Sequence, residues 1–352
     1  MYFCEKYSYM LPEFLPCSSL FADSKCTPVH FNKHEKMHDL ELQNYEIALI
    51  GVNPILSDLF RHKFYSLSLD HFRKLTIVDL GNLKDVSDSN VAATVMYLMD
   101  LKIIPILIGS SHSHFTQLHL QCSQVLMPHR FALVSDNMSK IEDLLISHSM
   151  FLKEIYSIGV QRHLQTSNSL HSISKILYLS EFRKKLSNIE PFTRNVDAAY
   201  FDLNAIRYSD FNGSHNSNPS GLFSEEASSI CKYFGSGDKT KTLFISSWKT
   251  EQDTSGTNEL LIAQMVWYFI EGYGLKKTDH SNHKKNLTQY IVEIKNTGIQ
   301  INFYKSEISG KWWFEEPIID MDHSNVLIPC TYDEYLNTVQ EQVPDRILEY
   351  LN

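Results

Sequence analysis

No stretch of the chain reaches the roughly eighteen consecutive apolar residues that a membrane-spanning helix needs. The opening residues, Met1 to Tyr9, lack the basic flank and apolar block of a secretory leader. Together these absences predict a cytoplasmic protein without membrane insertion. Cysteine is scarce: Cys4, Cys17, Cys26, Cys122, Cys231 and Cys330 are scattered without a C-x-x-C pair, which fits reduced thiols rather than a disulfide framework. Three of them fall near His30 and His34, but their spacing matches no zinc-ligand pattern. Basic charge is in deficit as well, with 32 Lys and Arg against 41 Asp and Glu and a net charge of -9. A general nucleic-acid binder needs a basic face toward the phosphates, so the charge argues against that class and leaves room only for a local basic patch.

What the chain does have is apolar bulk. Hydrophobic residues make up 43% and aromatics 12%, ample for a large core in 352 residues. Residues 1–44 are mixed aromatic, polar and His-rich, broken by Pro12, Pro16 and Pro28, and read as a loop-rich extension with short helical turns. From Tyr45 a regular alternation begins. Apolar strands are expected at Tyr45–Val52, Leu75–Asn82, Ile103–Ile108, Phe131–Val134, Glu154–Val160, Ile176–Leu179, Asp197–Asn204 and Thr242–Ser247. Helices are expected over 55–70, after Ser87 or Ser89, over 114–125, over 141–152, from an N-cap at Ser224, and from Asn258 to Tyr273. Continuous apolar strands alternating with helices argue for a mostly parallel sheet covered on both faces over residues 45–275.

Beyond a charged linker near 276–285 the pattern changes, with strands expected at Thr288–Glu293 and Ile299–Tyr304 and a short final helix ending near Leu351. Residues 276–352 therefore form a C-terminal extension packing on the same body. Its Lys311-Trp312-Trp313-Phe314 run cannot place all three aromatics on one face of a strand, so at least one must be covered from the other side. Core packing is the favoured cover, with a partner surface as the alternative.

Candidate chemistry gathers at the strand ends, where open α/β folds place their sites. The run Ile103 to His114 delivers Gly109, Ser110, Ser111 and the alternating His112 and His114 to such an end. Phe131–Val134 leads into Ser135-Asp136-Asn137, and Asp197–Asn204 ends in a polar tip. Without further context, His112 and His114 read as satisfied loop residues, Asp202 equally as a loop-fixing carboxylate, and Asp79 as a turn former. The loop around His215, rich in Asn, Ser and Gly, is a candidate lid.

Taken in order, these tips resemble the ureohydrolase superfamily of arginase, agmatinase and formimidoylglutamase over roughly residues 45–275. The family's Gly-Gly-Asp-His-Ser falls on Gly109-Ser110-Ser111-His112-Ser113, keeping His112. Its Asp-Ala-His-x-Asp falls on Asp136-Asn137-Met138-Ser139-Lys140, where Asp136 survives, Met138 stands for the histidine and Lys140 for the last aspartate; a register shifted by one residue puts Ser135, Asn137 and Ser139 at the ligand positions instead. Its Ser-x-Asp-x-Asp motif is similar to Tyr200-Phe201-Asp202-Leu203-Asn204, with Asn204 replacing the second aspartate. Its Gly-Gly-Leu-x-x-Glu element resembles Ser220 to Glu225, and its late glutamate falls on or near Ser246.

The resemblance implies a three-layer α/β/α sandwich, the arginase-like fold, and in the family two manganese ions. Here it leaves His112, Asp136 and Asp202 as remnant metal positions. Two close divalent cations need several carboxylates to bridge them and offset their charge, and their bridging hydroxide is the nucleophile. A lysine at 140 would compete electrostatically with a cation. The leading expectation is thus a catalytically inactive member, a pseudoenzyme with no cofactor, which binds a protein partner or acts as a scaffold. The alternative is a C–N hydrolase using one manganese or other divalent ion at His112, Asp136 and Asp202. A small-molecule sensor using the same cleft is a third option, and a homo-oligomer remains open. The tail beyond 275 resembles those of divergent formimidoylglutamase-like proteins of Bacteroidetes-type bacteria.

Overall fold

The computed structural model describes residues 12–15, 29–31, 44–139, 144, 150–164, 174–184, 186–251, 253, 255–276, 286–295, 299–315 and 327–351. Lys140, most of the expected helix over 141–152, and Cys4, Cys17, Cys26 and His34 lie outside them.

The apolar runs form the strands β3 (Ile47–Gly51), β4 (Ile77–Leu83), β5 (Ile104–Ser110), β6 (His129–Val134), β7 (Leu152–Val160), β8 (Ser174–Tyr178), β9 (Ala198–Phe201) and β10 (Thr242–Ser246). Two short strands, β1 (Phe14–Leu15) and β2 (Val29–Phe31), join the outer edge of β4. Five residues of the N-terminal extension thus join the sheet as strands, while most of the extension lies outside the described residues. The order is β1-β4-β3-β5-β10-β9-β6-β7-β8, and every pairing is parallel except β1 with β4.

Alternation along the strands splits the core into two layers. Ile106, Ile108, Val134, Phe201, Leu243 and Ile245 point to one face. There they meet the helices α1 (Pro54–Phe64), α4 (Ser224–Gly235) and α5 (Thr257–Gly274). Leu107, Phe131, Leu133, Tyr200 and Phe244 point to the other face, against α2 (Asp88–Asp100) and α3 (His112–Gln124). This is the three-layer α/β/α sandwich that the resemblance implies. Each fully buried large side chain contributes about 1.5–3 kcal/mol, so the layers rather than surface ion pairs hold the body together.

Local chemistry sets the element ends. Asn53 caps α1 by accepting from the Leu56 amide at 3.2 Å, with Pro54 in the first turn. This helix stops at Phe64, short of the expected residue 70. In α4 the cap position falls on Phe223, not Ser224. Ser224 is the first helical residue, and Glu226 holds the Phe223 amide at 2.8 Å. Asp79 is not simply a turn former. It lies within β4, fully buried, gripped by Arg61 at 2.8 and 2.9 Å and by the Tyr65 hydroxyl at 2.6 Å, while accepting from Gly81 at 2.9 Å. Burial opposes its ionisation, but the Arg61 charge and these hydrogen bonds hold its carboxyl below the usual range.

A second, antiparallel sheet follows, formed by β11 (Leu287–Ile294), β12 (Ile299–Ser306), β13 (Trp312–Glu315) and β14 (Leu327–Cys330), with the short helices α6 (Tyr332–Val339) and α7 (Asp345–Leu351). Trp312 and Phe314 pack on one face with Phe303 and Ile347, and Trp313 on the other with Tyr304 and Leu327. The aromatic run is therefore core, as favoured above. Arg194 seats it on the body, its guanidinium 4.6 Å from the centre of the Trp313 ring and donating to the Trp312 carbonyl at 2.7 Å. Lys311 pairs with Asp238 at 2.9 Å and Lys175 with Glu349 at 2.6 Å. These body residues lie at or just before the starts of β8, β9 and β10, so the small sheet docks at the N-terminal edge of the parallel strands, opposite the candidate site.

Candidate functional site

The central strands β5, β10, β9 and β6 are neighbours, so their C-terminal ends bring the tips carrying His112, Ser246, Asp202 and Asp136 to one edge of the sheet. The ends are stitched together by the backbone. Ser247 donates to the Ser110 carbonyl at 2.9 Å, and Asp202 to that of Val134 at 2.9 Å. Gly109 makes the turn of β5 possible: it is the extra residue of a bulge opposite Ile245 and Ser246, with φ of +75°. An added Cβ there would also lie 2.9 Å from the Asn53 Cβ.

The two histidines of this edge part company. Ser111 caps α3, and the His114 side chain returns the bond, its Nδ1 accepting from the Ser111 amide at 3.1 Å. That assigns the proton to Nε2, which donates to the Val86 carbonyl at 3.1 Å. Burial pushes the His114 pKa down, against the Val86 carbonyl and Asp88, so a neutral capping role suits it. His112 begins α3 and lies edge-on to the Tyr200 ring, centroids 5.6 Å apart. The Tyr200 phenol is pushed well above its ordinary pKa by burial and by Asp202, although a hydrogen bond with Ser246 opposes the shift.

Both carboxylates are held by asparagines. Asp136, 1% exposed, accepts from the Asn137 amide at 2.7 Å. Asp202, 2% exposed, caps the turn Leu203–Ala205 and accepts from the backbone and side chain of Asn204 at 3.1 and 2.9 Å. The carbonyl oxygen of the Asn204 side chain then accepts from the Ser214 hydroxyl at 2.9 Å and the His215 amide at 2.7 Å, tying the loop 209–220 to the strand tip. Ser246 accepts from the Leu203 amide at 3.0 Å. Met138 is buried in the apolar layer beside α3. Among the described residues no three His, Cys, Asp or Glu side chains form a group that could hold a metal ion.

A cleft of about 440 Å³ opens beside β6, lined by Asp136, Asn137, Ser139, Leu164, Asn216 and Asn218. The loop singled out as a lid supplies two of these residues. Asn216 and Asn218 are site residues that motif matching passes over, because neither falls on a family motif. The only sequence signal for them is the density of asparagine around His215. Among the described residues no helix is long and apolar enough to cross a membrane.

No family model and no curated protein matches the chain. Solved structures do. Formiminoglutamase from Trypanosoma cruzi, crystallised with Mn2+2, is similar with a TM-score of 0.57 and 14% identity over 68% of this chain and 99% of that one. Formimidoylglutamase from Bacillus subtilis gives 0.56 and 15% over 66% and 88%. Agmatine ureohydrolase from Thermoplasma volcanium gives 0.54 and 15% over 66% and 91%. The chain has the ureohydrolase fold.

Proposed function

We propose that this chain is a divergent, non-catalytic member of the ureohydrolase superfamily that acts by binding a protein partner. One observation carries the reading: at both surviving acidic tips an asparagine amide occupies a carboxylate that a metal would otherwise claim, Asn137 on Asp136 and Asn204 on Asp202. Asn204 removes one negative charge relative to the motif it replaces, and each asparagine amide donates to its neighbouring acid. Met138 is turned into the core at a position where the resemblance calls for a histidine ligand. Such a donor set does not fit two divalent cations, which need bridging carboxylates and charge compensation. No hydrolytic step is therefore derived through a metal.

The strand-tip edge lies opposite the small antiparallel sheet, which supports its use as the binding surface. Aromatic and Arg contacts suit such a surface, and Phe223, 37% exposed, sits between Arg183 and Arg207, each with its guanidinium 4.2 Å from the ring centre. The test is turnover. Purified protein supplemented with manganese is assayed for urea or formamide release from arginine, agmatine and formimidoylglutamate. No turnover above the metal-only blank is expected. Metal-dependent turnover would replace this reading with that of a C–N hydrolase using His112, Asp136 and Asp202.

A further inference from the structure

We propose that the cleft beside β6 recognises a neutral primary carboxamide. The inference rests on the non-catalytic reading of the same strand tips and names the chemistry that they now accept. Among the described lining residues the only charged group is Asp136. Asn137 is committed on both sides, donating to Asp136 and accepting from the Ser139 amide at 3.0 Å and hydroxyl at 2.6 Å. Asn216 uses only its backbone for hydrogen bonds to the described residues, exchanging them with the Ser214 hydroxyl at 3.1 and 2.7 Å, so its side-chain amide stays available.

Asn218 supplies the decisive asymmetry. Its side-chain oxygen is taken by the Ser220 amide at 3.0 Å, whereas its Nδ2 is buried without a hydrogen-bond partner. A buried donor left unmatched costs free energy until an acceptor arrives. The cleft thus offers a donor from Asn218, a donor and an acceptor from Asn216, and an apolar wall from Leu164, with the Asp136 carboxylate among its lining. A primary carboxamide presents a carbonyl oxygen and an NH2 group on one small plane, complementary to that set. A guanidinium, all donors, would meet the Asn218 N–H head-on, and a carboxylate would meet Asp136.

The carboxamide has two sources, a free amino acid amide or a Gln or Asn side chain on a protein. Saturation-transfer NMR and calorimetry on the full chain separate them, using L-glutamine and L-asparagine in one arm and a capped Gly-Gln-Gly peptide in the other. A capped Gly-Glu-Gly peptide, agmatine and L-glutamate serve as controls. Binding in either amide arm and weaker binding of the controls is expected, and the stronger arm identifies the source.

Asn218→Asp keeps the acceptor for Ser220 and deletes the donor, so it should weaken amide binding about tenfold. Asn216→Leu, at an exposed position that leaves the fold intact, should weaken it about fivefold. Three results each overturn the inference: controls binding as tightly as the amides, no amide binding up to about 10 mM, or both variants binding like the parent. Manganese-dependent turnover would instead remove the reading beneath it, so the two failures are distinguishable.

Discussion

At the N-terminal edge of the parallel sheet, buried carboxylates meet cations; at the C-terminal edge they meet amides. Glu154 takes Arg130 at 2.8 Å together with the hydroxyls of Tyr156 and Tyr350, Asp197 takes Lys241 at 2.9 Å, and Glu190 takes Arg194. At the other edge Asp136 and Asp202 take Asn137 and Asn204. Both edges are built of the same strands, so the fold does not impose the difference. The first edge uses charge to dock the small sheet and its helices. The second has been discharged at its two surviving acids, and its ion pairs, Arg207 with Asp210 and Arg183 with Glu226, gather around Phe223 on the surface proposed for reversible binding.

Breaking the charged edge should have the largest effect. Arg346 reaches Glu334 at 2.7 and 2.8 Å and the Pro329 carbonyl at 2.9 Å, and its guanidinium lies 5.4 Å from the centre of the Phe192 ring on the body. Arg346→Leu strands a buried carboxylate, and a loss of about 3–5 kcal/mol is expected in urea unfolding, with the small sheet becoming the first site of proteolysis.

Acid should act next, and again at the N-terminal edge. His129 begins β6 with its Nδ1 donating to the Met127 carbonyl at 2.8 Å, so its Nε2 accepts from His119 Nδ1, also at 2.8 Å. Burial, opposed by the Met127 carbonyl and reinforced by His119, lowers its pKa from 6.5 to about 4. Because the unfolded chain takes up the proton first, this part of the stability is complete above about pH 6.5 and is lost as pH falls toward about 4. About 3 kcal/mol is at stake. Comparing the pH dependence of the urea midpoint for the parent and His129→Gln isolates it, and the variant should lose that part of the slope.

Much of this contrast is hidden in the sequence, and the reason is physical. The layers were readable because burial on both faces forces continuous apolar runs such as Ile104–Ile108, and Asn53-Pro54 marks a helix start by local chemistry alone. The strands β1 and β2 were not, since two- and three-residue segments carry no periodicity and gain their partners only from β4, far along the chain. Asp79 looked like a turn former because its partner Arg61 comes from a helix on the sheet's face. His112 and His114 looked equivalent, yet Ser111 and Val86 fix one of them as a cap. Motif alignment located Asp136, Asp202 and Asn204, but it could not show that an asparagine replacing an acid would turn its amide onto the surviving one.

Two variants at the discharged edge sharpen the comparison with smaller effects. Asp202→Ala removes the cap of the Leu203–Ala205 turn and should cost about 1 kcal/mol in thermal or urea unfolding, well below Arg346→Leu. Asn204→Asp places a second carboxylate beside Asp202. It should lower the stability of the metal-free protein by roughly 1 kcal/mol through like-charge repulsion, and manganese should restore part of that loss in a thermal-shift titration. An unchanged response to manganese would show that the missing charge is not what separates this edge from a metal site.

The most direct test of the central claim is the manganese stoichiometry of the unaltered protein, measured by equilibrium dialysis followed by elemental analysis. The discharged strand tips predict well under one ion per chain, without saturation at a defined site. Two ions per chain, released together by a chelator, would contradict the account.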